Sequence, residues 1–405
     1  MKFGLLGKDL PHSFSKTIHE QIADYPYDLY EKNIEDLEDF IKSDISGFNV
    51  TIPYKEEIIK YLDYLSPRAK SIGAVNTVIK KDGRLLGYNT DYFGFDFLLT
   101  SLGETFTRAI ILGDGATSKT ISAVLADKNI AYVKLSRKKS PTYADLDKFN
   151  DADLLINATP VGMYPNNGKA LVDLDRLPRL KVVVDVVYNP YITQILFEAR
   201  ARNIKYANGL KMLIAQALEA SSIFQNKDLD YKMIEEIEAN ILKNRNIVLI
   251  GMPGSGKSSI GRRLAEFTHK KFVDTDKEIE KIANMPISEI FEKYGENKFR
   301  DFEKSIINKV GKETNQIIAT GGGVVKDPVN YRPLKQNSQI YLIKRNLSDL
   351  DQKGRPLSTS YGAIEALWQE RKESYYKFAD KEIENIGIES STDLIIGDFY
   401  ENTFN

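Results

Sequence analysis

The sequence has 405 residues, enough for two or three domains at roughly 150 residues each. Its 56 Lys and Arg stand against 57 Asp and Glu, so no basic excess singles out nucleic acid or an anionic membrane as a partner. The absence of cysteine excludes disulfides, thiolate metal sites and cysteine nucleophiles, and three histidines (His12, His19, His269) are too few for a histidine-built metal centre to be expected.

The apolar runs, such as those over 181–187 and Ile247–Ile250, have the length of strands rather than membrane spans. The opening MKFGLLGKDLPHS reads as a strand and a polar loop, not a secretion signal, and a cytoplasmic protein is expected. Short β-like runs then alternate with helical patterns: strands over 3–6, 28–31 and 47–51, helices over 15–23 and 34–42. Such alternation predicts an α/β protein with mostly parallel sheets.

Two strands running into glycine turns look like second starts, RAIILG at 108–113 and RNIVLIG at 245–251. The stretch 228–243 between them carries apolar residues at helical spacing, from Leu229 through Met233, Ile234, Ile237, Ile241 and Leu242. A domain boundary is expected near 244, with a subdivision of the first part near 105.

In the first part, polar residues gather at strand ends: Ser13 and Ser15, then Thr51 and Lys55 in NVTIPYK, Asn76 in GAVNT, and Asp91 in GYNTD. Hydroxyls and amides suit a polyhydroxylated ring, and a Lys beside an Asp suits proton donation to a carbonyl that receives hydride. Taken singly, the serines read as turn residues and Lys55 as a surface charge. The strand 109–112 leads into Gly113, Asp114, Gly115, Ala116, Thr117 and Ser118, and a helix follows to about 126. A glycine turn at a strand–helix junction aims backbone N–H groups at a pyrophosphate, although the third glycine of the usual fingerprint is missing. The next strand, 132–135, ends in Ser136, Arg137, Lys138 and Lys139, where basic residues favour the 2′-phosphate of NADP over the free ribose of NAD. Further on come NATPVGM from Asn157, DVVYNP from Asp185, and GLKMLIAQ from Gly209.

Together these segments resemble shikimate dehydrogenase over residues 1–242. The resemblance implies Ser13, Ser15, Thr51, Asn76 and Gln216 around the substrate, with Tyr188 nearby, and Lys55 with Asp91 as the catalytic pair. It implies NADP(H) held by Gly113, Gly115, Ala116, Thr117, Ser118, Ser136, Arg137 and Lys138, with Asn157, Thr159 and Met212 along the cofactor path. His12 is read as structural. Lys16 departs from the family's proline, and Ala116 and Thr117 dilute the glycine turn, which points to an altered cofactor affinity.

In the second part, residues 251–258 (GMPGSGKS) follow a strand over 246–250 and open a helix over 258–267. Gly254, Ser255, Gly256, Lys257, Ser258 and Ser259 form a phosphate loop: backbone N–H groups wrap phosphate oxygens, Lys257 adds a point charge, and the Ser258 hydroxyl faces Mg²⁺. Asp274 and Asp276 end the next strand, where one acid can serve a metal and the other accept a hydroxyl proton; helix capping is the plainer use of Asp276. A helix start at 295–303 and a glycine triplet at 321–323 follow.

This segment resembles shikimate kinase over nearly its whole length, with the phosphate loop, D-T-D, G-E-x-x-F-R-x-x-E, G-G-G, R-P-L and E-R-x-x-x-Y in family order. The resemblance implies ATP and Mg²⁺ at Lys257, Ser258 and Asp274, and Asp276 on the acceptor hydroxyl. Arg300 and Arg371 would clamp the substrate carboxylate, Gly321, Gly322 and Gly323 would approach the ring, and Arg355 would meet the transferring phosphoryl group from a lid. The stretches before and after Arg355 are short by the family's standard, so a trimmed lid is expected, with Arg345 as the candidate to stack on adenine.

The expected organisation is a substrate-binding subdomain over 1–104, a Rossmann-like NADP subdomain over 105–208, C-terminal helices over 209–243, and a P-loop kinase domain over 244–405. The joint expectation is a bifunctional enzyme of aromatic amino-acid biosynthesis acting on 3-dehydroshikimate and shikimate. Its alternatives are a quinate/shikimate dehydrogenase fused to a kinase for another small polyol, or one domain acting as a non-catalytic regulatory module.

Overall fold

The computed structural model describes residues 1–10, 13–165, 167–350 and 361–401. His12 and Arg355 therefore lie outside the described residues. The chain divides into two compact units, Met1–Glu238 and Ala239–Asn405.

The first unit holds two sheets. One contains β1 (Phe3–Gly7), β2 (Tyr27–Glu31), β3 (Gly47–Val50), β4 (Tyr64–Leu65), β5 (Thr77–Lys81) and β6 (Arg84–Tyr88) in the order β2-β1-β3-β5-β6-β4. β1, β2 and β3 run parallel, as βα alternation requires, whereas β5 pairs antiparallel with both β3 and β6. The reversal between β5 and β6 is made by Asp82 and Gly83, both at positive φ (52° and 74°), the backbone that a tight two-residue hairpin needs.

The other sheet is wholly parallel: β7 (Arg108–Leu112), β8 (Ala131–Leu135), β9 (Leu154–Asn157), β10 (Val182–Asp185) and β11 (Lys205–Asn208), ordered β11-β10-β9-β7-β8. The strand order reverses between β7 and β9, and a crevice at such a point is where open α/β sheets bind ligands. Register sets Leu112 opposite Asn157, and Asn157 opposite Asp185, along that edge.

The helix Leu210–Gln225 returns from this sheet and packs along the helix Asp91–Ser101. Its Met212 belongs to the apolar core around Ile111, Ile156 and Val184, while its Phe224 belongs to the core around Phe3 and Leu5.

The second unit has one parallel sheet of β12 (Asn246–Ile250), β13 (Lys271–Asp274), β14 (Gln316–Ala319), β15 (Ser338–Lys344) and β16 (Lys381–Glu384), ordered β13-β14-β12-β15-β16. β12, NIVLI, is buried at every residue, as a central parallel strand covered on both faces must be. The C-terminal edge of the sheet carries the turns at 251 and 320, after β12 and β14, and the acids at 274 and 276 at the end of β13.

Two expected helices differ in extent. Residues 34–42 split into a 3₁₀ turn, Ile34–Asp36, and a helix, Leu37–Lys42, because Asn33 and Asp36 close a capping box over the first turn. The helix expected over 228–243 spans Met233–Leu242; Asp230 ties its side chain to the Lys232 N–H at 2.9 Å and holds the entry in a turn. No helix among the described residues is long and apolar enough to cross a membrane.

Candidate active sites

In the first unit, Lys55 lies in the turn after β3 and Asp91 opens the helix Asp91–Ser101. Their side chains meet at 2.6 Å, with only 14% and 8% of each exposed. The second Asp91 oxygen accepts from Asn76 Nδ2 at 3.0 Å, and the same amide reaches Thr90 Oγ1 at 2.9 Å and Gln216 Oε1 at 3.2 Å. Asn76 Oδ1 in turn accepts from the Thr90 N–H at 2.6 Å. Residues from four separate stretches of sequence thus form one hydrogen-bonded group around a nearly dry ion pair. Breaking a pair so enclosed would leave a buried charge uncompensated.

Ser13, Ser15 and Tyr188 form a second group. Ser13 Oγ accepts from the Ser15 N–H at 3.2 Å, and Ser13 hydrogen-bonds Tyr188. Burial pushes the Tyr188 phenol upward, so it stays a neutral donor. Thr51 is half-buried at the end of β3, its methyl packed against Gly7, where a Cβ would come within 2.6 Å.

His19 is fully buried, stacked on Tyr27 at 3.8 Å with Nδ1 2.7 Å from the Tyr25 hydroxyl. Burial holds its pKa down at about 3, so it is a neutral core residue.

On the cofactor side, Gly113 has φ 114°, and a Cβ there would approach the Thr159 methyl at 2.9 Å. Gly115 caps the helix Ala116–Asp127 and would meet nothing within 4 Å, so backbone is laid open at a helix N-terminus, a setting made for phosphate. Ala116 and Thr117 are half-buried in the first turn, and Ser118 spends its hydroxyl on the Gly113 carbonyl at 2.8 Å. Ser136 Oγ accepts from the Lys139 N–H at 2.9 Å and fixes a turn from which Arg137 and Lys138 are exposed. Asn157 Oδ1 accepts from both the N–H and the hydroxyl of Thr159, at 3.1 and 2.7 Å, while Met212 is buried. Sequence reasoning missed that Lys139 reaches Asp114 of the glycine turn at 3.2 Å.

In the second unit a cavity of about 620 Å³ brings together the phosphate loop, both acids, the glycine triplet, Arg300, Arg345 and Arg371. Gly251, Gly254 and Gly256 all have positive φ (144°, 85° and 97°), and the buried Ser255 hydroxyl has no hydrogen-bond partner in the structure. Lys257 Nζ donates to the Gly251 and Met252 carbonyls at 2.9 Å each. Such a cradle fits phosphate oxygens. Ser259 is exposed at the same helix start.

The Ser258 hydroxyl donates to Asp274 at 2.8 Å, and the other Asp274 oxygen caps the next helix at the Asp276 and Lys277 N–H groups. Among the described residues no cluster of three or more acids or histidines could hold a metal. Ser258 and Asp274, a hydroxyl and a carboxylate 2.8 Å apart beside the phosphate loop, fit a cation that takes its remaining ligands from phosphate and water, as Mg²⁺ commonly does.

Asp276 faces the glycine triplet: a Cβ on Gly321 would stand 2.5 Å from its Oδ1, an oxygen without a hydrogen-bond partner. Burial first, and then the charge of Asp274, raise its pKa to about 6. Arg300 is held by Glu303 at 2.7 Å and Glu296 at 3.0 Å, and a Cβ on Gly323 would collide with its guanidinium. Arg371 is 3% exposed; it donates one bond to the Gly322 carbonyl at 3.2 Å, and its Nε and Nη2 have no hydrogen-bond partner. Two arginines near Asp276, one of them with N–H donors that make no hydrogen bond, suit a small hydroxy-carboxylate.

Glu303, Tyr375 and Asn385 were given no site role by the sequence. Glu303 is 1% exposed with one oxygen unpartnered, Tyr375 donates to the Gly322 carbonyl, and Asn385 donates to the Ser255 carbonyl at 2.7 Å. Glu303 and Tyr375 stand inside motifs already quoted, so a motif position was the available signal; Asn385 had none.

Comparisons with known proteins follow the same division. A family model described as the shikimate dehydrogenase substrate binding domain matches residues 5–78, and one described as shikimate kinase matches residues 253–394. The NADP(+) shikimate dehydrogenase of Clostridium beijerinckii is 37% identical over 257 residues, spanning 58% of this chain and 95% of that protein. A crystal structure of shikimate dehydrogenase 1 from Peptoclostridium difficile is similar at 35% identity and TM-score 0.56, covering 60% of this chain and 98% of that one. Another, from Thermus thermophilus in complex with NADP(H) and shikimate, is similar at 30% identity and TM-score 0.54, covering 58% and 98%.

Proposed function

Since the chain belongs to the shikimate dehydrogenase family and carries a shikimate kinase domain after it, we propose that it performs two consecutive steps on one ring, reduction of 3-dehydroshikimate and phosphorylation of the resulting hydroxyl. It is a bifunctional enzyme of the shikimate pathway.

In the first unit, NADPH would supply the hydride that reduces the C3 ketone. Gly113, Gly115, Ala116, Thr117 and Ser118 would hold its pyrophosphate at the helix N-terminus, Arg137 and Lys138 its 2′-phosphate, and Asn157, Thr159 and Met212 would line its path. Lys55 gives a proton to the ketone oxygen as the C–H bond forms, and Asp91 orients the ammonium. Asn76, Gln216 and Thr51 bind ring hydroxyls. Ser13, Ser15 and Tyr188 take the carboxylate side.

In the second unit, ATP would supply the phosphoryl group, and Ser258 and Asp274 would hold the Mg²⁺ that offsets charge on the phosphates. Asp276 accepts the proton of the shikimate 3-hydroxyl, while Arg300 and Arg371 fix the carboxylate so that this hydroxyl faces the phosphate loop. Lys257 leaves its loop carbonyls for the phosphates.

The observation that carries the reading is the surroundings of Lys55 and of Asp276. Each proton-transfer group is set among donors and acceptors that suit one polyhydroxy acid. The test is a single mixture of protein, 3-dehydroshikimate, NADPH, ATP and Mg²⁺, with products read by mass. Shikimate 3-phosphate is expected from the wild type, unreacted 3-dehydroshikimate from Lys55→Ala, and accumulated shikimate from Asp276→Asn. Phosphorylated product from both variants would refute the assignment.

A further inference from the structure

Asp185 ends β10 and is fully buried. Its Oδ1 accepts from Asn157 Nδ2 at 2.9 Å and from the Val187 N–H at 3.0 Å, and its Oδ2 accepts from Thr193 Oγ1 at 2.6 Å. Each donor belongs to a different stretch of the site wall.

Asn157 ends β9 and organises the turn after it: its Nδ2 also reaches the Val161 carbonyl at 3.1 Å, and its Oδ1 holds Thr159, which stands against Gly113. Val187 immediately precedes Tyr188, whose ring packs on Phe14 at 5.3 Å. Thr193 backs Gly162, where a Cβ would meet its own Cβ at 3.2 Å, and it precedes the helix Gln194–Ala201.

Burial pushes the Asp185 carboxyl up to about 7, and its three donors pull against that rise. An apolar residue could fill the same volume without the desolvation cost. What the carboxyl adds is one acceptor point shared by three segments.

We infer that Asp185 is a positioning residue for hydride transfer, a buried clasp that fixes the cofactor-side turn 157–163 and the substrate-side Tyr188 at a set spacing. The inference rests on the dehydrogenase reading of the first unit. Removing the carboxyl leaves the Val187 N–H and the Thr193 hydroxyl without their acceptor and uncouples the Asn157 amide from both, so Thr159 and Tyr188 lose their mutual register. An asparagine can restore it: the amide oxygen accepts from Asn157 and Val187, and the amide N–H₂ donates to Thr193.

The test compares Asp185→Ala, Asp185→Asn and Thr193→Val in the full chain, by steady-state reduction of 3-dehydroshikimate and by NADPH affinity read from nicotinamide fluorescence. A misplacement of about an ångström can cost on the order of a hundredfold in rate. Asp185→Ala is expected to lower kcat at least tenfold and weaken NADPH about fivefold, Asp185→Asn to stay within about threefold of wild type, and Thr193→Val to lower kcat about threefold with its unfolding temperature nearly unchanged. Wild-type kcat and NADPH affinity in Asp185→Ala would overturn the inference. So would an Asp185→Asn enzyme as impaired as the alanine variant while equally folded.

If Asp185→Ala does not fold, Thr193→Val decides: a wild-type kcat there overturns the inference, and a threefold loss supports it. If the wild-type chain reduces no 3-dehydroshikimate, the dehydrogenase reading fails separately. NADPH affinity then decides the clasp, supported if Asp185→Ala or Thr193→Val weakens it and overturned if neither does.

Discussion

Lys55 and Asp91 stand thirty-six residues apart in the chain and 2.6 Å apart in space, and the remaining Asp91 oxygen is taken by Asn76. The carboxylate is thus oriented from one side by an amide and spends its other oxygen on the ammonium, which aims the lysine.

For that pair, Lys55→Ala should lower kcat for reduction by roughly 10²–10⁴, the range for a general acid. Asp91→Asn should fall in the same direction by less, because the lysine remains but is no longer aimed. Shikimate phosphorylation assayed on the same preparation should stay within about twofold of wild type and serves as the control. A Lys55→Ala enzyme with normal reduction would remove the lysine from the mechanism.

Asp276, with its pKa raised to about 6, carries two opposed consequences. As a proton acceptor it must be ionised, so kcat/KM for phosphorylation should fall about tenfold per pH unit below 6. As a buried carboxyl it binds its proton more tightly folded than unfolded, where the value is 3.8. Its contribution to stability is therefore complete below pH 3.8 and lost as pH rises through about 6. Asp276→Asn should abolish most phosphorylation yet raise the melting temperature of the second unit at pH 8, by roughly 2–4 °C. The sole tryptophan, Trp368, packs half-buried against that unit's core and gives the readout by fluorescence.

Arg371 presents Nε and Nη2 without a hydrogen-bond partner at 3% exposure. Lysine keeps the charge but not the planar fork. Arg371→Lys should raise KM for shikimate about ten- to a hundredfold with KM for ATP unchanged. Full rescue by lysine would show that charge alone suffices.

Gly322 lies in the glycine triplet, yet a Cβ there would stand 2.6 Å from Pro253 Cδ in the phosphate loop. Gly322→Ala should therefore raise KM for ATP, by about tenfold, as well as disturb shikimate binding. An effect confined to shikimate would mean that the phosphate loop yields freely.

Much of this was legible in the sequence because it is local. A buried parallel strand must be a continuous apolar run, as NIVLI is, and a turn that wraps phosphate must be rich in glycine, as 251–256 is. What stayed hidden depends on partners far along the chain. Asn385 reaches Ser255 across 130 residues, and Asp185 reaches back 28 residues to Asn157. Asp185 was visible as a letter in DVVYNP but not as the point where three segments meet. The late start of the helix Met233–Leu242 was hidden differently: an apolar stripe over 228–243 does not reveal that Asp230 turns its side chain onto its own backbone.

The helix Leu210–Gln225, sixteen residues and therefore about 24 Å long, has Met212 set in one core of the first unit and Phe224 in another. Ten of its sixteen residues are buried, so it acts as a splint: pulling the two sheets apart, sliding along the helix or turning it about its length would each drag buried side chains out of their packing. Gln216, buried between those two anchors and bonded to Asn76 at 3.2 Å, is thereby held at a fixed height against the network around Asp91.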